Sequence, residues 1–101
     1  MKSMLYVLDS LRADDLSCYG YERETSPNID ELAEDSVVFQ NAIAQSAWTR
    51  ASAASILSSL YPSVYGVNGM DDYFSYSDLT LPGAVVKEGF ETIGMSAMGN
   101  V

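Results

Sequence analysis

The apolar run Met4-Leu5-Tyr6-Val7-Leu8 has no polar alternation and stops at Asp9, a pattern that predicts a strand buried on both faces. Residues 10 to 26 are punctuated by Gly20 and by polar side chains, and they predict a loop with one helical turn. Ser26-Pro27 reads as an N-cap with proline at the first helical position. Ile29, Leu32 and Ala33 follow at helical spacing, with Glu31, Glu34 and Asp35 outward, so a short amphipathic helix is expected. Val37-Val38-Phe39 through Ala44 opens with β-branched and aromatic residues and predicts an extended segment or short strand. From about Ser52 to Leu60, the residues Ala53, Ile56, Leu57 and Leu60 recur at i, i+3, i+4 and i+7. That spacing predicts a helix with its stripe against a sheet, ended by Tyr61-Pro62. Residues 61 to 78 have no sustained period and predict a long surface loop. A third helix is expected from about Leu81 to Glu88, stopped by Gly89, and Glu91 through Ala97 fits another parallel strand with Asn100 just past its end. Strand, helix, strand, helix, strand is an α/β layout: a parallel sheet with flanking helices, built from one domain over residues 1–101.

Composition narrows the partners. The 101 residues are 48% apolar and 19% charged, as in an ordinary globular domain, but 14 acidic residues stand against 5 basic ones for a net charge of −9. Lys2, Arg12, Arg23, Arg50 and Lys87 are scattered singly, which disfavours nucleic acid and an anionic membrane surface. Abundant carboxylates with little lysine suggest a halophilic protein kept soluble by a hydrated acidic surface; folding indifferent to salt would contradict this. The lone Cys18 forms no intrachain disulfide and supports no zinc cluster, so it reads as a structural thiol. No signal peptide and no stretch of about 18 apolar residues is present, and the expectation is a soluble cytoplasmic chain.

Two positions carry candidate chemistry. Asp9 closes the first predicted strand, and ligands of open α/β sheets bind outside the carboxyl ends of strands, so Asp9 is either a metal ligand or the cap of a following helical turn. The segment Ser46-Ala47-Trp48-Thr49-Arg50-Ala51-Ser52 sets hydroxyls and a guanidinium just before and inside the first turn of a helix, where amides and the dipole suit a sulfate or phosphate oxyanion. A hydroxyl beside a divalent cation there can act as a nucleophile. In the alternative, Thr49 or Ser52 caps the helix and Arg50 is a solvated surface residue.

These segments together resemble the sulfatase family of the alkaline phosphatase superfamily. Val7-Leu8-Asp9-Ser10-Leu11-Arg12-Ala13-Asp14, followed by Cys18-Tyr19-Gly20-Tyr21, is similar to the family's opening strand, V-D-T-L-R-A-D, and its C-Y-G-Y-like turn. Thr25-Ser26-Pro27-Asn28-Ile29-Asp30-Glu31-Leu32-Ala33 resembles its T-P-N-L-D-x-L-A helix, and Val38-Phe39-Gln40-Asn41-Ala42 its V-x-F-x-N-A strand. Trp48-Thr49-Arg50-Ala51-Ser52 with Ser58-Ser59-Leu60-Tyr61-Pro62 resembles the signature helix and its L-T-G-x-Y-P exit. Leu79-Thr80-Leu81 and Lys87-Glu88-Gly89-Phe90-Glu91-Thr92 match the T-L…L-K-x-x-G-Y-x-T segment. The motifs run in order over essentially the whole chain.

The resemblance implies the N-terminal portion of an alkaline-phosphatase-like fold, apparently truncated, and a sulfate-ester hydrolase. It implies that Asp9 binds a divalent metal, Ca2+ first with Mn2+ or Mg2+ as alternatives, with Ser10 where many sulfatases carry a second aspartate. Thr49 matches the cysteine or serine converted to formylglycine. Threonine does not undergo that conversion, and in phosphotransferase and phosphodiesterase branches an unmodified, metal-bound threonine is the nucleophile. Ala51 and Ala53 replace the proline and the basic residue of the C-x-P-S-R motif, leaving Arg50 and Ser52 as the polar neighbours of Thr49. The late Asp-Asn or Asp-His ligands of the family have no match, and the chain has no histidine. Asp71, Asp72 and Asp78 read as a solvated acidic surface. Two classes follow: a sulfate- or phosphate-ester hydrolase or transferase, or a non-catalytic fragment that needs a missing C-terminal half, or self-association, to function.

Overall fold

Proline opens helices in this chain because the first helical position has no intrahelical acceptor for an N–H. In the computed structural model, which describes residues 2–67, 69, 72–75 and 80–97, helix α1 spans Pro27–Glu34, α2 Thr49–Ser58, α3 Pro62–Tyr65 and α4 Leu81–Lys87. Proline lies in the first turn of α1, α3 and α4. Two units divide the chain, Met1–Ala42 and Ile43–Val101.

The first unit is tied by side-chain hydrogen bonds. Short 3-10 turns at Ala13–Asp15 and Ser17–Tyr19 stand where one helical turn was expected. Ser26 does not cap α1 with its side chain; its hydroxyl instead donates to both carboxylate oxygens of Asp30 at 3.2 Å. Asp30 Oδ1 also accepts the Cys18 amide at 2.8 Å, which joins the second turn to α1. Thr25 Oγ1 donates to the Asp15 carbonyl at 2.6 Å, Ser17 Oγ to the Arg23 carbonyl at 2.9 Å and the Tyr19 hydroxyl to the Phe39 carbonyl at 3.0 Å. Among the described residues of this unit, only Ser26 is buried.

The second unit has an apolar centre. Ala51, Ala54, Tyr65 and Val67 are buried, with Leu60 and Phe74 packed against them, and α2 contacts both α3 and α4. Helix α2 begins at Thr49, three residues before the expected start, and it buries Ala51, Ala54 and Ser55 rather than the stripe of Ala53, Ile56, Leu57 and Leu60. Ile56 is 45% exposed. A face of small side chains lets α2 approach the Tyr65 ring, and the Ser55 hydroxyl tolerates burial because Tyr65 satisfies it at 2.7 Å. The expected surface loop from 61 onward is corrected on the same ground. Its Tyr61-Pro62 start nucleates α3, Gly66 ends it at φ 74, and Tyr65 and Val67 are buried at 6% and 3% exposure. Asp72 is likewise half-buried, accepting the Gly69 amide, whereas Asp71 and Asp78 lie outside the described residues.

Thr80 caps α4 by accepting the Gly83 amide on Oγ1 at 3.2 Å. Gly89 at φ 84 ends the helix, with the Phe90 amide returning to the Val85 carbonyl at 3.1 Å. The segments expected as strands, 4–8, 37–44 and 91–97, form no β-ladder among the described residues, and a turn stands at residues 40–41. Met4 is 89% exposed and Ile93 81%. A strand completes its hydrogen bonds only on a neighbour, and pairing between segments far apart in sequence is what these stretches lack here. The Asn100 position lies outside the described residues.

Candidate functional site

Asp9 sits in a turn after the first apolar segment and is exposed. The next residue, Ser10, has a left-handed backbone at φ 61, unusual for a residue with a Cβ and costing on the order of 1 kcal/mol. That turn brings Ser10 Oγ to 3.2 Å from Asp9 Oδ2, to which it donates. Asp9 does not cap a helix: the next helical turn starts at Ala13, and its N-cap position is Arg12. Arg12 instead grips Asp14, donating from Nε to Oδ1 at 2.8 Å and from Nη2 to Oδ2, with Asp15 Oδ2 at 3.9 Å from Nε. This hydrogen bonding and charge hold the Asp14 carboxyl below its ordinary range and raise the guanidinium's own value. Both groups are solvent-exposed, so water and salt screen the pair.

Thr49 is the first residue of α2, not its cap; the N-cap position is Trp48, whose side chain makes no capping bond. The Ser52 amide donates to the Trp48 carbonyl at 2.9 Å, closing the first turn. Thr49, Arg50 and Ser52 therefore share one helical turn and are all half-buried. Arg50 is not a purely solvated residue: Nη1 reaches the Asp72 carbonyl at 3.5 Å, at the long limit for such a bond. Ser52 lines a cavity of about 370 Å³ together with Ser55, Ser59, Ile43, Ile56 and Leu60. Thr49 and Arg50 do not line it. The volume falls in the range of small-molecule sites, and a stripe of hydroxyls along one apolar wall is a common lining of such clefts.

The structure brings together Asp9 with Ser10, and Thr49 with Arg50 and Ser52, each pair or trio within its own unit. Calcium takes about six to eight oxygen ligands. The Asp9 and Ser10 oxygens fall well short of that number. Among the described residues no group of three or more Asp, Glu, Cys or His side chains could hold a metal ion, so the described donors do not fit a complete calcium site. Cys18 is partly buried, and its amide donates to Asp30. No helix among the described residues is long and apolar enough to cross a membrane.

Sequence patterning passed over Tyr65. Its hydroxyl lies between the Ser55 hydroxyl and the Ala51 carbonyl, inside the helix that carries Thr49. The signal was present: Pro62 at a helix start and Gly66 at a helix end bracket a single turn.

Comparison with known proteins identifies the family. The family profile described as Sulfatase matches residues 4–100. The chain is 36% identical over 95 residues to the iduronate 2-sulfatase of Mus musculus, covering 91% of this chain and 17% of that protein. It is 39% identical over 71 residues to the iduronate 2-sulfatase of Homo sapiens, covering 70% and 13% respectively. It is 41% identical over 61 residues to the N-acetylgalactosamine-6-O-sulfatase of Bacteroides thetaiotaomicron, covering 59% and 12%. The chain thus spans about a sixth or less of the length of these curated relatives. No solved structure matches it significantly. With the family profile covering nearly every residue and relatives above 30% identity in the same segments, the chain belongs to the sulfatase family.

Proposed function

We propose that these residues serve hydrolysis of sulfate esters, with Thr49 as the nucleophile and Asp9 as one ligand of a divalent cation. The observation that carries this reading is the position of Thr49 at the first residue of the ten-residue α2, half-buried, with Arg50 and Ser52 on the same turn. The first-turn amides of a helix have no acceptor within it, and the dipole makes that end favourable for an anionic ester group. Attack of Thr49 Oγ1 on sulfur forms the threonine ester and expels the substrate's alcohol, which takes up the hydroxyl proton; water then cleaves the threonine ester. The sulfated-sugar names of the relatives favour a carbohydrate sulfate as substrate. The cation is proposed as Ca2+. Ser10 and Thr49 are proposed as further ligands, and the rest are assigned to the longer sulfatase sequence of the relatives.

A second reading rests on the identity of residue 49. Threonine is not a formylglycine precursor, and an unmodified threonine nucleophile suits a phosphodiester hydrolase or phosphoglycerol-type transferase equally well. A third reading is a non-catalytic chain that acts only with a partner polypeptide supplying further ligands. The test is hydrolysis of 4-nitrophenyl sulfate and of bis(4-nitrophenyl) phosphate with added Ca2+, by the 101-residue chain alone and mixed with a polypeptide carrying the rest of a sulfatase domain. Sulfate-ester turnover in the mixture that disappears in Thr49→Ala supports the proposal. Turnover retained in Thr49→Ala refutes the nucleophile assignment, and turnover of the phosphodiester alone favours the second reading.

A further inference from the structure

Tyr65 is the largest side chain among the buried core residues, and its one polar atom is spent inside α2. A backbone carbonyl only accepts, so the Tyr65 hydroxyl donates its single proton to the Ala51 carbonyl, and the Ser55 hydroxyl must then donate to Tyr65 Oη across 2.7 Å. The order of protons is fixed: Ser55 to Tyr65 to Ala51. Ala51 lies two residues past Thr49, and Ser55 lies one turn further on, so the chain spans the part of α2 that sets where its first turn sits. The ring itself is fixed from outside the helix. Phe74 meets it edge-on with ring centres 5.5 Å apart at 69°, and Gly66 ends α3 immediately after it. The segment carrying Phe74 also presents the Asp72 carbonyl that Arg50 reaches. One buried ring thus joins α3, the 72–74 segment and the nucleophile-bearing helix.

We propose that Tyr65 is a positioning residue for Thr49, holding the first turn of α2 in register through the Ala51 carbonyl and the Ser55 hydroxyl. Its link to catalysis rests on the assignment of Thr49 as nucleophile; its link to the helix does not. A buried pair of hydroxyls that merely satisfied each other would lose nothing by joint removal, since replacing both partners by apolar groups is close to neutral for stability. A positioning pair would lose register even so.

The experiment compares Tyr65→Phe, Ser55→Ala and the double variant in the full chain, reading amide hydrogen exchange by NMR in α2, with α4 and α1 as internal references, and thermal unfolding in parallel. Tyr65→Phe is expected to speed exchange in residues 51–55 by about tenfold while α1 and α4 change less than about twofold, as expected when a local opening is favoured without global unfolding. In the double variant, the unfolding midpoint is expected to recover while the faster exchange in 51–55 persists. Unchanged exchange in α2, an equal rise in α4, or recovery of both readouts in the double variant would overturn the proposal. In any preparation that turns over ester, Tyr65→Phe should lower kcat with KM unchanged, the sign of a group acting only on the reacting geometry. If Thr49→Ala retains turnover, the nucleophile assignment falls alone, and the exchange measurement still decides whether Tyr65 holds the helix.

Discussion

The two halves of this chain are held by different physics. Residues 2–42 are stitched by single hydrogen bonds, with Asp30 receiving the Cys18 amide and the Ser26 hydroxyl, and with almost no buried side chain. The described residues of the second unit close around Ala51, Ala54, Tyr65 and Val67, with the Ser55 and Tyr65 hydroxyls bonded within that centre. Each hydrogen bond adds about 1 kcal/mol net, whereas burying a large apolar side chain adds about 1.5–3 kcal/mol, so the second half is predicted to have the larger local stability. The candidate nucleophile, Thr49, stands on a helix backed by a core, while the candidate ligand, Asp9, stands on an exposed turn where the Ser10 hydroxyl donates to it.

The sharpest way to break this contrast is Thr49→Ala. If the well-supported helix carries the chemistry, kcat for ester hydrolysis falls by at least about 10³-fold, with the unfolding midpoint unchanged, measured by steady-state kinetics and thermal denaturation. Next in size is a matched pair of core and surface truncations. Val67→Ala, at 3% exposure, is expected to lower stability by about 1.5–2 kcal/mol, and Val37→Ala, at 81% exposure, by under about 0.5 kcal/mol, both read from urea midpoints. Equal effects would mean that the second half is no better packed than the first. Within the first half, Asp30→Ala strands the Cys18 amide and the Ser26 hydroxyl. It should speed exchange in α1 by the equivalent of about 1–3 kcal/mol while leaving α2 protection in place.

The smallest effect is electrostatic. Arg12 holds the Asp14 carboxyl below its ordinary value through a hydrogen bond and charge. A depressed folded value means the contribution is complete above the unfolded carboxylate range, about pH 4, and is lost as pH falls through the folded value. Because both side chains are exposed, the loss in stability is slight, but the Asp14 carboxyl titration followed by NMR should move upward in Arg12→Gln and in high salt.

Much of the local structure was legible from punctuation alone. Ser26-Pro27 marked the start of α1, and Leu81 with Gly89 marked the limits of α4 to within a residue, because proline fixes φ and glycine alone takes the left-handed backbone at little cost, whatever surrounds them. The phase of α2 was not legible. Ala53, Ile56, Leu57 and Leu60 satisfy the spacing rule for a core stripe, yet the helix turns Ala51, Ala54 and Ser55 inward, since hydrophobic spacing cannot anticipate that a tyrosine hydroxyl ten residues later makes a buried serine acceptable. The same long-range contact hid the buried character of Tyr65 and Val67 inside a stretch that reads as surface loop.

Sequence by itself determined the sulfatase membership and the limits of α1 and α4, and it nominated residues 9, 10, 49, 50 and 52 as the candidate groups. All of these depend on residue type and order along the chain. Tertiary structure decided that Thr49 begins α2 rather than preceding it, that Ser52 faces a cavity while Arg50 turns toward Asp72, and that Tyr65 backs the helix. Those outcomes depend on which side chains meet across the fold, and the free energy of such meetings is set by burial and by hydrogen-bond partners distant in sequence, which no local pattern encodes.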